Sequence, residues 1–510
     1  MHCLRPFCFL LLVCASLATS AQAPTWSEDI APLVYENCSH CHHQGQVAPF
    51  SLMSYEDAAN NALSMYTAMF TGHMPPWPAD PDYRHFVGET VVTDEEVAML
   101  LEWLEEGLPY GDPLLEPEAP EFEDGGTLLH AIDFVAAIEP YTLQSDNEEY
   151  RWFVIPTDFE ETKYIQAIEV FAGLPEAVHH ADIHVDATGN SAALDALDPL
   201  PGFNGSTGWL SSTAYVNAWQ PGAGPARFPD DWGIALPPGA DLVIEIHYGP
   251  GFGEEIDQTY MNLEFVDDTA NVRPVSVGWL LSSADMTNGP LIIPPNEVST
   301  FYQEDTPFWS DKSLIAICPH QHLLGDSYKV WMETPAGDSI PLIDIPEWQF
   351  HWQFYYTFLN PQKLPAGSTL KSEATYDNTA SNPLNPNSPP VTVYDGALTT
   401  DEMLLTYFIY ADYQEGDEDI NLDPSLSVEE SEAKWGWDVY PNPTTDQLRV
   451  DFPTGIPGAD VVLTDAAGKI ALEAHIQPGQ PLDVQALPAG VYHVRLRAAH
   501  RMYTSTLIKN

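Results

Sequence analysis

Short apolar runs broken by turn residues constrain the fold of this chain more than any other feature. The 510 residues include 46 prolines and 32 glycines. Between about residues 125 and 415 these separate short runs rich in β-branched and aromatic residues, among them DLVIEIHYG, SLIAICPHQH, YKVWMET and EMLLTYFIY. Such runs are typical of strands, and a chain of this length is too long for one hydrophobic core. The pattern therefore predicts a multidomain, mainly β protein.

Residues 24–115 have helical periodicity instead. The runs YEDAANNALSMYTAMF and TDEEVAMLLEWLEEG carry apolar residues at helical spacing, and Thr93 with Glu96 has the sequence of a capping box. The intervening GHMPPWPAD cannot continue a helix, because its prolines lack the N–H that a helix needs. These residues are therefore predicted to form a small α-helical domain.

The two ends of the chain differ from its middle. Residues 1–23 are predicted to be a secretory signal peptide, because Arg5 precedes an apolar stretch and a small-residue cleavage region. No later segment offers about 18 uninterrupted apolar residues, so no membrane-spanning segment is expected. Near the other end, an acidic linker at 416–434 precedes a small β unit, predicted to be a sandwich, at 435–510.

The charge of the chain excludes two classes of partner. Acidic residues number 75 and basic residues 17, which gives a net charge of −58. A surface of this sign repels nucleic acid and anionic lipid. We therefore expect neither as a partner.

The stretch CSHCH at residues 38–42 has the attachment pattern of a c-type haem. Cys38 and Cys41 would bind the haem covalently, and His42 would bind its iron. Met74 is the expected second axial ligand, because a thioether raises the reduction potential, and His73 is the alternative. Residues 24–115 in this respect resemble a small cytochrome c domain. A zinc site made from the same cysteines and the adjacent histidines is the competing interpretation.

Histidines stand out in three stretches of the middle region, AVHHADIH, IEIHYGP and CPHQHLLG. On a strand, residues i and i+2 face the same way, so His320 and His322 can converge on one ion. His179 and His180 are adjacent, so they can converge only through a bend or through different ring nitrogens. His184 is an alternative ligand on the same strand.

A methionine accompanies these histidines. Met403 lies at the predicted start of a strand in the stretch GALTTDEMLLTYFIY. A methionine there is core by default, but beside two imidazoles its sulfur becomes a soft ligand that favours Cu(I).

The order HH, HY, HxHLLG and TxDEM resembles the copper type II, ascorbate-dependent monooxygenases, which include the peptidylglycine- and dopamine-hydroxylating enzymes. The resemblance implies two jelly-roll-like β-sandwich domains, 116–270 and 271–415, and two copper ions, one in each. By resemblance the electron-storing copper is bound by His179, His180 and His247. The copper at which oxygen is activated is bound by His320, His322 and Met403, with Tyr407 beside it in the catalytic site.

The substrate side of this pattern departs from the peptide-amidating relatives. They carry an arginine two residues before the HxH pair and an asparagine two residues after the methionine. This chain has Cys318 and Leu405 there and keeps only Tyr407. Strand alternation predicts that all three face the substrate. Without the arginine the pocket loses a carboxylate clamp, so the resemblance implies a substrate less polar than a peptide C-terminus.

The predicted haem gives the copper sites a source of electrons. Hydroxylation of a C–H bond with O2 consumes two electrons, and each copper or haem carries one at a time. A tethered haem would pass them on from an external donor at high effective concentration. The predicted function is therefore a copper monooxygenase with one covalently attached haem c. The alternatives are a non-catalytic haem and copper electron-transfer protein and a cell-surface binding protein.

The C-terminal stretches WDVYPNPTTDQLRVDF and LPAGVYHVRL resemble the sorting domains read by type IX secretion. The resemblance implies the type IX machinery as a partner. It also implies export across the outer membrane, with the enzyme secreted or attached to the cell surface.

Overall fold

The computed structural model describes residues 23–43, 48–120, 129, 131–204, 213–267, 269–423, 438–440, 444–451, 458–465, 470–477, 479–498 and 501–509. The chain divides into two compact units, Met1–Glu418 and Asp419–Asn510. The predicted signal peptide, apart from its last residue, and most of the acidic linker lie outside the described residues. Strands make up 39% of the structure and helices 13%, which confirms the prediction of a multidomain, mainly β protein.

The N-terminal helices pack around tryptophans. A π-helical turn, Trp26–Ile30, leads into α1 (Ala31–Asn37), α2 (Tyr55–Phe70) and α3 (Asp94–Glu105). The capping box at the start of α3 is confirmed, since Glu96 N–H donates to Thr93 Oγ1 at 3.2 Å and the Glu96 carboxylate accepts from Thr93 N–H at 2.7 Å. Trp26 and Trp103 are fully buried in the core of this helical module.

The first sandwich follows the helices. Its strands are β1 (Phe134–Ala137), β2 (Tyr141–Thr142), β3 (Glu149–Pro156), β4 (Lys163–Phe171), β5 (Val178–Asp186), β6 (Phe203–Asn204), β7 (Ala214–Trp219), β8 (Ala226–Arg227), β9 (Trp232–Leu236), β10 (Asp241–Tyr248), β11 (Ile256–Asp257) and β12 (Tyr260–Phe265). A short helix, α4 (Asn190–Asp195), follows β5. One sheet has the order β6-β3-β10-β5-β7, and β1-β12-β4-β9 forms the other.

The second sandwich has the strands β13 (Arg273–Leu281), β14 (Ile292–Ile293), β15 (Val298–Glu304), β16 (Lys312–His320), β17 (Gly325–Glu333), β18 (Ser339–Ile345), β19 (Tyr356–Leu364), β20 (Thr369–Asp377), β21 (Val393–Tyr394) and β22 (Leu405–Asp412). Short 3-10 turns occur at Ser283–Asp285 and Asp417–Asp419. Its sheets have the orders β13-β22-β16-β19 and β15-β20-β17-β18. A parallel pairing of β9 with β13, Trp232 opposite Arg273, joins one sheet of each sandwich into a single nine-stranded sheet that also includes β8.

Strand β10 shows why the histidine-bearing strands are so apolar. Leu242, Ile244 and Ile246 are buried on one face of the strand. The opposite face is also covered, since Val243 is fully buried and His247 is only 2% exposed. A strand buried on both faces needs no alternation of apolar and polar residues. The second face is therefore an internal surface, where a histidine is shielded from bulk water.

The loop between α2 and α3 packs on the second sandwich. Ala79 and Phe86 are buried in the core of that sandwich. The Val87 N–H donates to the Thr357 carbonyl at 2.8 Å, and the Asp80 N–H donates to Asp344 at 2.8 Å. The helical module is therefore docked on the sandwiches rather than merely tethered to them.

The C-terminal unit has its own core. Its strands are β23 (Asp438–Tyr440), β24 (Gln447–Asp451), β25 (Ala459–Asp465), β26 (Ile470–Ile476), β27 (Leu482–Asp483), β28 (Gly490–Ala498) and β29 (Arg501–Lys509). They form sheets of the order β23-β24-β27 and β26-β25-β28-β29. Leu448 and Leu463, one from each sheet, are fully buried together. Among the described residues of the whole chain, no helix is both long and apolar enough to cross a membrane.

Candidate metal centres

Three histidines of the first sandwich gather at one point. His180 on β5 lies opposite His247 on β10, and the register of the two strands shifts at the next pair, so that Val178 is opposite Tyr248. This bulge leaves His179 as the extra residue and turns its ring toward that of His180. The ligand atoms of the three imidazoles all lie within 4.8 Å of one another.

The environment of this three-histidine site suits a metal ion. His247 is buried, and neither of its ring nitrogens has a hydrogen-bond partner among the described residues; Glu148 Oε1 is 3.8 Å from its Nε2. Buried polar atoms without partners are rare in folded proteins. Burial lowers the pKa of His179 to about 4 and that of His247 to about 3, and repulsion from neighbouring histidines adds to both shifts. The imidazoles are therefore neutral at pH 7, as metal ligands must be.

The HxH pair forms a second group. His320 ends β16 and His322 follows it, with their ring centroids 5.1 Å apart. His322 Nδ1 lies 3.0 Å from the Asp401 carbonyl, which leaves its Nε2 for a metal. Burial and the charge of His322 lower the pKa of His320 to about 3.

The segment that carries Met403 also holds the HxH pair in place. The fully buried carboxylate of Glu402 accepts from His322 N–H at 2.9 Å and from Leu324 N–H at 2.7 Å. The Met403 carbonyl accepts from Tyr376 at 2.7 Å. Met403 lies two residues before β22. Residues 401–403 thus provide an orienting carbonyl, a backbone anchor and a thioether in succession.

Both groups line a single cavity between the sandwiches. Its volume is about 200 Å³, and all six predicted copper ligands are among its lining residues: His179, His180, His247, His320, His322 and Met403. The predicted ligands thus come from two domains to one internal space.

Two carboxylates and several tyrosines also line the cavity. Asp182 and Glu245 lie opposite each other on β5 and β10, and burial raises the pKa of Asp182 to about 6 and that of Glu245 to about 8. Tyr215 donates to Asp182 at 3.0 Å, and its ring stacks on Tyr407 at 5.3 Å. Among the described lining residues there is no lysine or arginine.

The residues predicted to face the substrate lie in different places. Cys318 and Tyr407 form a cross-strand pair, and both line the cavity. Burial raises the pKa of the Cys318 thiol. Leu405 pairs with His320 but is not among the described residues of the cavity wall. His184 is fully buried rather than on the strand surface, and its Nδ1 lies 3.1 Å from Thr213 Oγ1.

The CSHCH stretch lies in the turn after α1. Cys38 and Cys41 form no disulfide, and burial together with the charge of Cys41 raises the pKa of Cys38 to about 12. His42 Nδ1 lies 2.9 Å from the Phe50 carbonyl, which leaves Nε2 free to bind iron. Met74 follows α2, and its N–H donates to the Ala68 carbonyl at 3.1 Å. The donor set and the orientation of His42 fit a c-type haem.

The zinc alternative has less geometric support. The hydrogen bonds do not separate zinc from haem, because His42 and His43 both have Nδ1 within 2.9 Å of a backbone carbonyl and either could bind a metal through Nε2. In the described part of the chain, only the three-histidine site brings the ligand atoms of three or more His, Cys, Asp or Glu side chains within 4.8 Å of one another. Cys38 and Cys41 are not part of that group.

Sequence analysis missed two residues between the histidine groups. His351 carries no metal-site signal in the sequence, but its Nδ1 lies 3.1 Å from His179 Nε2. Phe350 stacks on His179 with centroids 5.7 Å apart and lies edge-on to His322 at 6.4 Å. Both lie in an aromatic stretch, WQFHWQFYY, whose letters carry no sign of this long-range contact.

Comparisons with curated proteins and with solved structures carry no information about the function of this chain. No curated protein matches the chain. A β-glucuronidase from Ruminococcus gnavus is 13% identical over 42% of this chain and 36% of its own, with a TM-score of 0.13. The major capsid protein P2 from bacteriophage PM2 is 9% identical over 56% of this chain and 99% of its own, with a TM-score of 0.24. Neither likeness bears on function.

The C-terminal match is more informative. Residues 438–510 match the family described as the secretion system C-terminal sorting domain. This confirms the sequence prediction for this unit and implies the secretion machinery as a partner. The protein thus carries a type IX sorting domain and is exported, to be secreted or attached to the cell surface.

Proposed function

We propose that this protein is a secreted copper-dependent monooxygenase that hydroxylates a C–H bond of an organic substrate with O2 and receives electrons through its own c-type haem. One observation carries the proposal. Five imidazoles and a thioether, from segments as far apart as residues 179 and 403, line one buried cavity.

The two ligand sets suit different tasks. Three neutral imidazoles accommodate copper in either oxidation state, whereas two imidazoles with a thioether favour Cu(I), the form that reacts with dioxygen. Copper held in these sets would supply one-electron steps and the activation of O2. The protein's own part is to hold the imidazoles neutral and to exclude bulk water from the cavity.

The cavity wall supports an uncharged or weakly polar substrate. Cys318 stands where the peptide-amidating relatives have a carboxylate-binding arginine, and the described lining offers no cation in its place. Asp182 and Glu245 would repel a carboxylate whenever either is ionised. Tyr215, Tyr407 and Phe354 offer aromatic surface instead. A substrate with an apolar body fits this wall.

The docked helical module supports an internal electron supply. The Cys41 sulfur lies against Gly222, since a Cβ built on that glycine would be 3.4 Å from it. Gly222 belongs to the turn that contributes Gln220 and Ala223 to the cavity wall. A haem attached at Cys41 would therefore lie beside the cavity, and an external one-electron donor such as ascorbate would reduce it.

Metal content and product formation test the proposal. Mature protein loaded with copper should retain two copper ions and one haem iron per chain after dialysis against a weak chelator. With ascorbate, ¹⁸O2 and a panel of aromatic and aliphatic compounds, one ¹⁸O atom should appear in a product by mass spectrometry. Protein that keeps its haem iron but no tightly bound copper would rule out the proposal.

The size of the cavity favours a second candidate. Its 200 Å³ is small beside the roughly 300–1,000 Å³ usual for pockets that hold organic ligands. A haem and copper electron-transfer protein without a substrate would need no larger space. Such a protein would bind both metals and pass electrons between them, but would yield no labelled product from any compound of the panel.

A further inference from the structure

His351 reaches from one sandwich into the metal site of the other. It lies in the segment between β18 and β19 of the second sandwich, 172 residues from its partner His179. The His351 Nδ1 and His179 Nε2 atoms are 3.1 Å apart, and the two ring centroids are separated by 5.4 Å. This is a direct hydrogen bond between imidazoles.

The two nitrogens of His179 have different surroundings. Its Nδ1 lies 3.1 Å from His180 Nδ1, on the side where the three histidines converge. If Nδ1 faces the metal, Nε2 carries the proton and donates it to His351 Nδ1. His351 then carries its own proton on Nε2. Hydrogen bonds of this kind fix the orientation of a metal-binding imidazole.

One residue of the helical module lies within electrostatic range of His351. The His351 side chain is exposed, and after burial the next influence that lowers its pKa is the charge of His73. His73 precedes Met74, the expected haem ligand. On the same module, the Cys41 sulfur lies 3.4 Å from the position that a Cβ on Gly222 would take, in the turn between the cavity-lining residues Gln220 and Ala223. Both segments that would hold the haem thus lie near residues at or beside the cavity.

Phe350, the residue before His351, contacts both groups of histidines. Phe350 stacks on His179 with an interplanar angle of 24° and lies edge-on to His322 at 88°. Residues 350 and 351 are therefore adjacent to the helical module, to the three-histidine site and to the HxH pair.

We propose that His351 is the residue through which the haem module passes electrons to the three-histidine site. The inference rests on the proposed haem and copper. In the step, ferrous haem loses one electron and cupric copper gains it, with no bond made or broken and no proton transferred. An external one-electron reductant of the ascorbate class restores the haem. His351 acts through His179 and is a positioning and relay residue rather than a catalytic one.

The test measures electron transfer without substrate or oxygen. Full-length protein with haem and Cu(II) is reduced at the haem by a laser-generated reductant under argon. Reoxidation of the haem is followed by its absorbance, and loss of Cu(II) is followed by freeze-quench electron paramagnetic resonance. Copper affinity is measured separately by competition with a chelator.

Two variants separate relay from positioning. His351→Asn places an amide oxygen where Nδ1 lies, so it keeps the acceptor for His179 but removes the rest of the ring. We expect near wild-type copper affinity. Haem reoxidation should slow by about tenfold, the lower end of the roughly 10–100-fold losses of affinity or activity that follow when a hydrogen-bond partner of a metal ligand is changed. His351→Leu removes the acceptor as well and should also weaken copper binding by about 10–100-fold.

A matched control lies on the helical module. His85 bonds to Glu89 at 3.1 Å and is 66% exposed, so His85→Leu removes an imidazole of the same module away from the cavity and should leave the rate unchanged. Haem reoxidation at the wild-type rate in copper-loaded His351→Asn protein would overturn the relay and leave the proposed function intact. Wild-type protein that holds haem but no copper would overturn the proposed function, and the relay with it.

Discussion

Glu402 offers a test of how the HxH segment is held, and the test needs no metal. Its carboxylate, fully buried, accepts from the backbone N–H groups of His322 and Leu324. Glu402→Ala would leave both donors buried without a partner. Each such group costs about 1–3 kcal/mol, so the pair costs about 2–6 kcal/mol. At 1.4 kcal/mol per factor of ten, a middle value of about 4 kcal/mol corresponds to roughly 10³-fold more frequent local opening.

Hydrogen–deuterium exchange measures this opening directly. In Glu402→Ala protein, a peptide spanning residues 320–326 should exchange about 10³-fold faster than in wild type, whereas peptides of β10 should be unchanged. Glu402→Gln keeps one carbonyl acceptor at nearly the same size and should give an intermediate effect. Unchanged protection of the 320–326 peptide in Glu402→Ala would refute the view that this carboxylate holds the HxH segment.

Three further predictions concern the other parts of the molecule. Met403→Ala should keep the haem absorbance and the copper of the three-histidine site but form no hydroxylated product; full turnover would contradict the assignment. His42→Ala should change the spectrum of the reduced haem and slow reduction of the coppers by ascorbate, and an unchanged rate would remove the haem from the electron path. Arg273 bonds both carboxylate oxygens of Asp417, at 2.6 and 2.9 Å, and lies 3.7 Å over Trp232. Arg273→Ala should therefore destabilise the junction of the sandwiches by about 3–5 kcal/mol, seen as a lower thermal midpoint, and an unchanged midpoint would contradict this.

The sequence predicted the structure correctly where the interacting residues are close together along the chain. The apolar spacing of YEDAANNALSMYTAMF coincides with α2, Tyr55–Phe70. The capping box at Thr93 depends only on residues three apart. His320 and His322 also lie side by side, as predicted, although β16 ends at His320 and His322 lies just beyond it. In each case the interacting residues are close together along the chain.

Contacts between distant segments could not be foreseen. Nothing near His351 indicates that it meets His179, because their separation depends on how two sandwiches pack. The bulge that turns His179 toward His180 follows from the register of β5 with β10, which no single strand specifies. The sequence around Glu402 likewise gives no sign of its role, because that role depends on the backbone of residue 322, which lies beside it only in the folded chain.

The segment between α2 and α3 belongs to two domains at once. Phe86 lies in the core of the second sandwich and packs on Phe358 there with ring centroids 5.6 Å apart. A fragment ending after α3 would expose that ring to water, and a sandwich expressed without the fragment would have a gap in its interior. Replacing the helical module by an unrelated cytochrome domain would therefore fail unless the replacement carried an equivalent of the segment between α2 and α3. In the proposed electron path, the donor module would therefore also be a structural part of its acceptor.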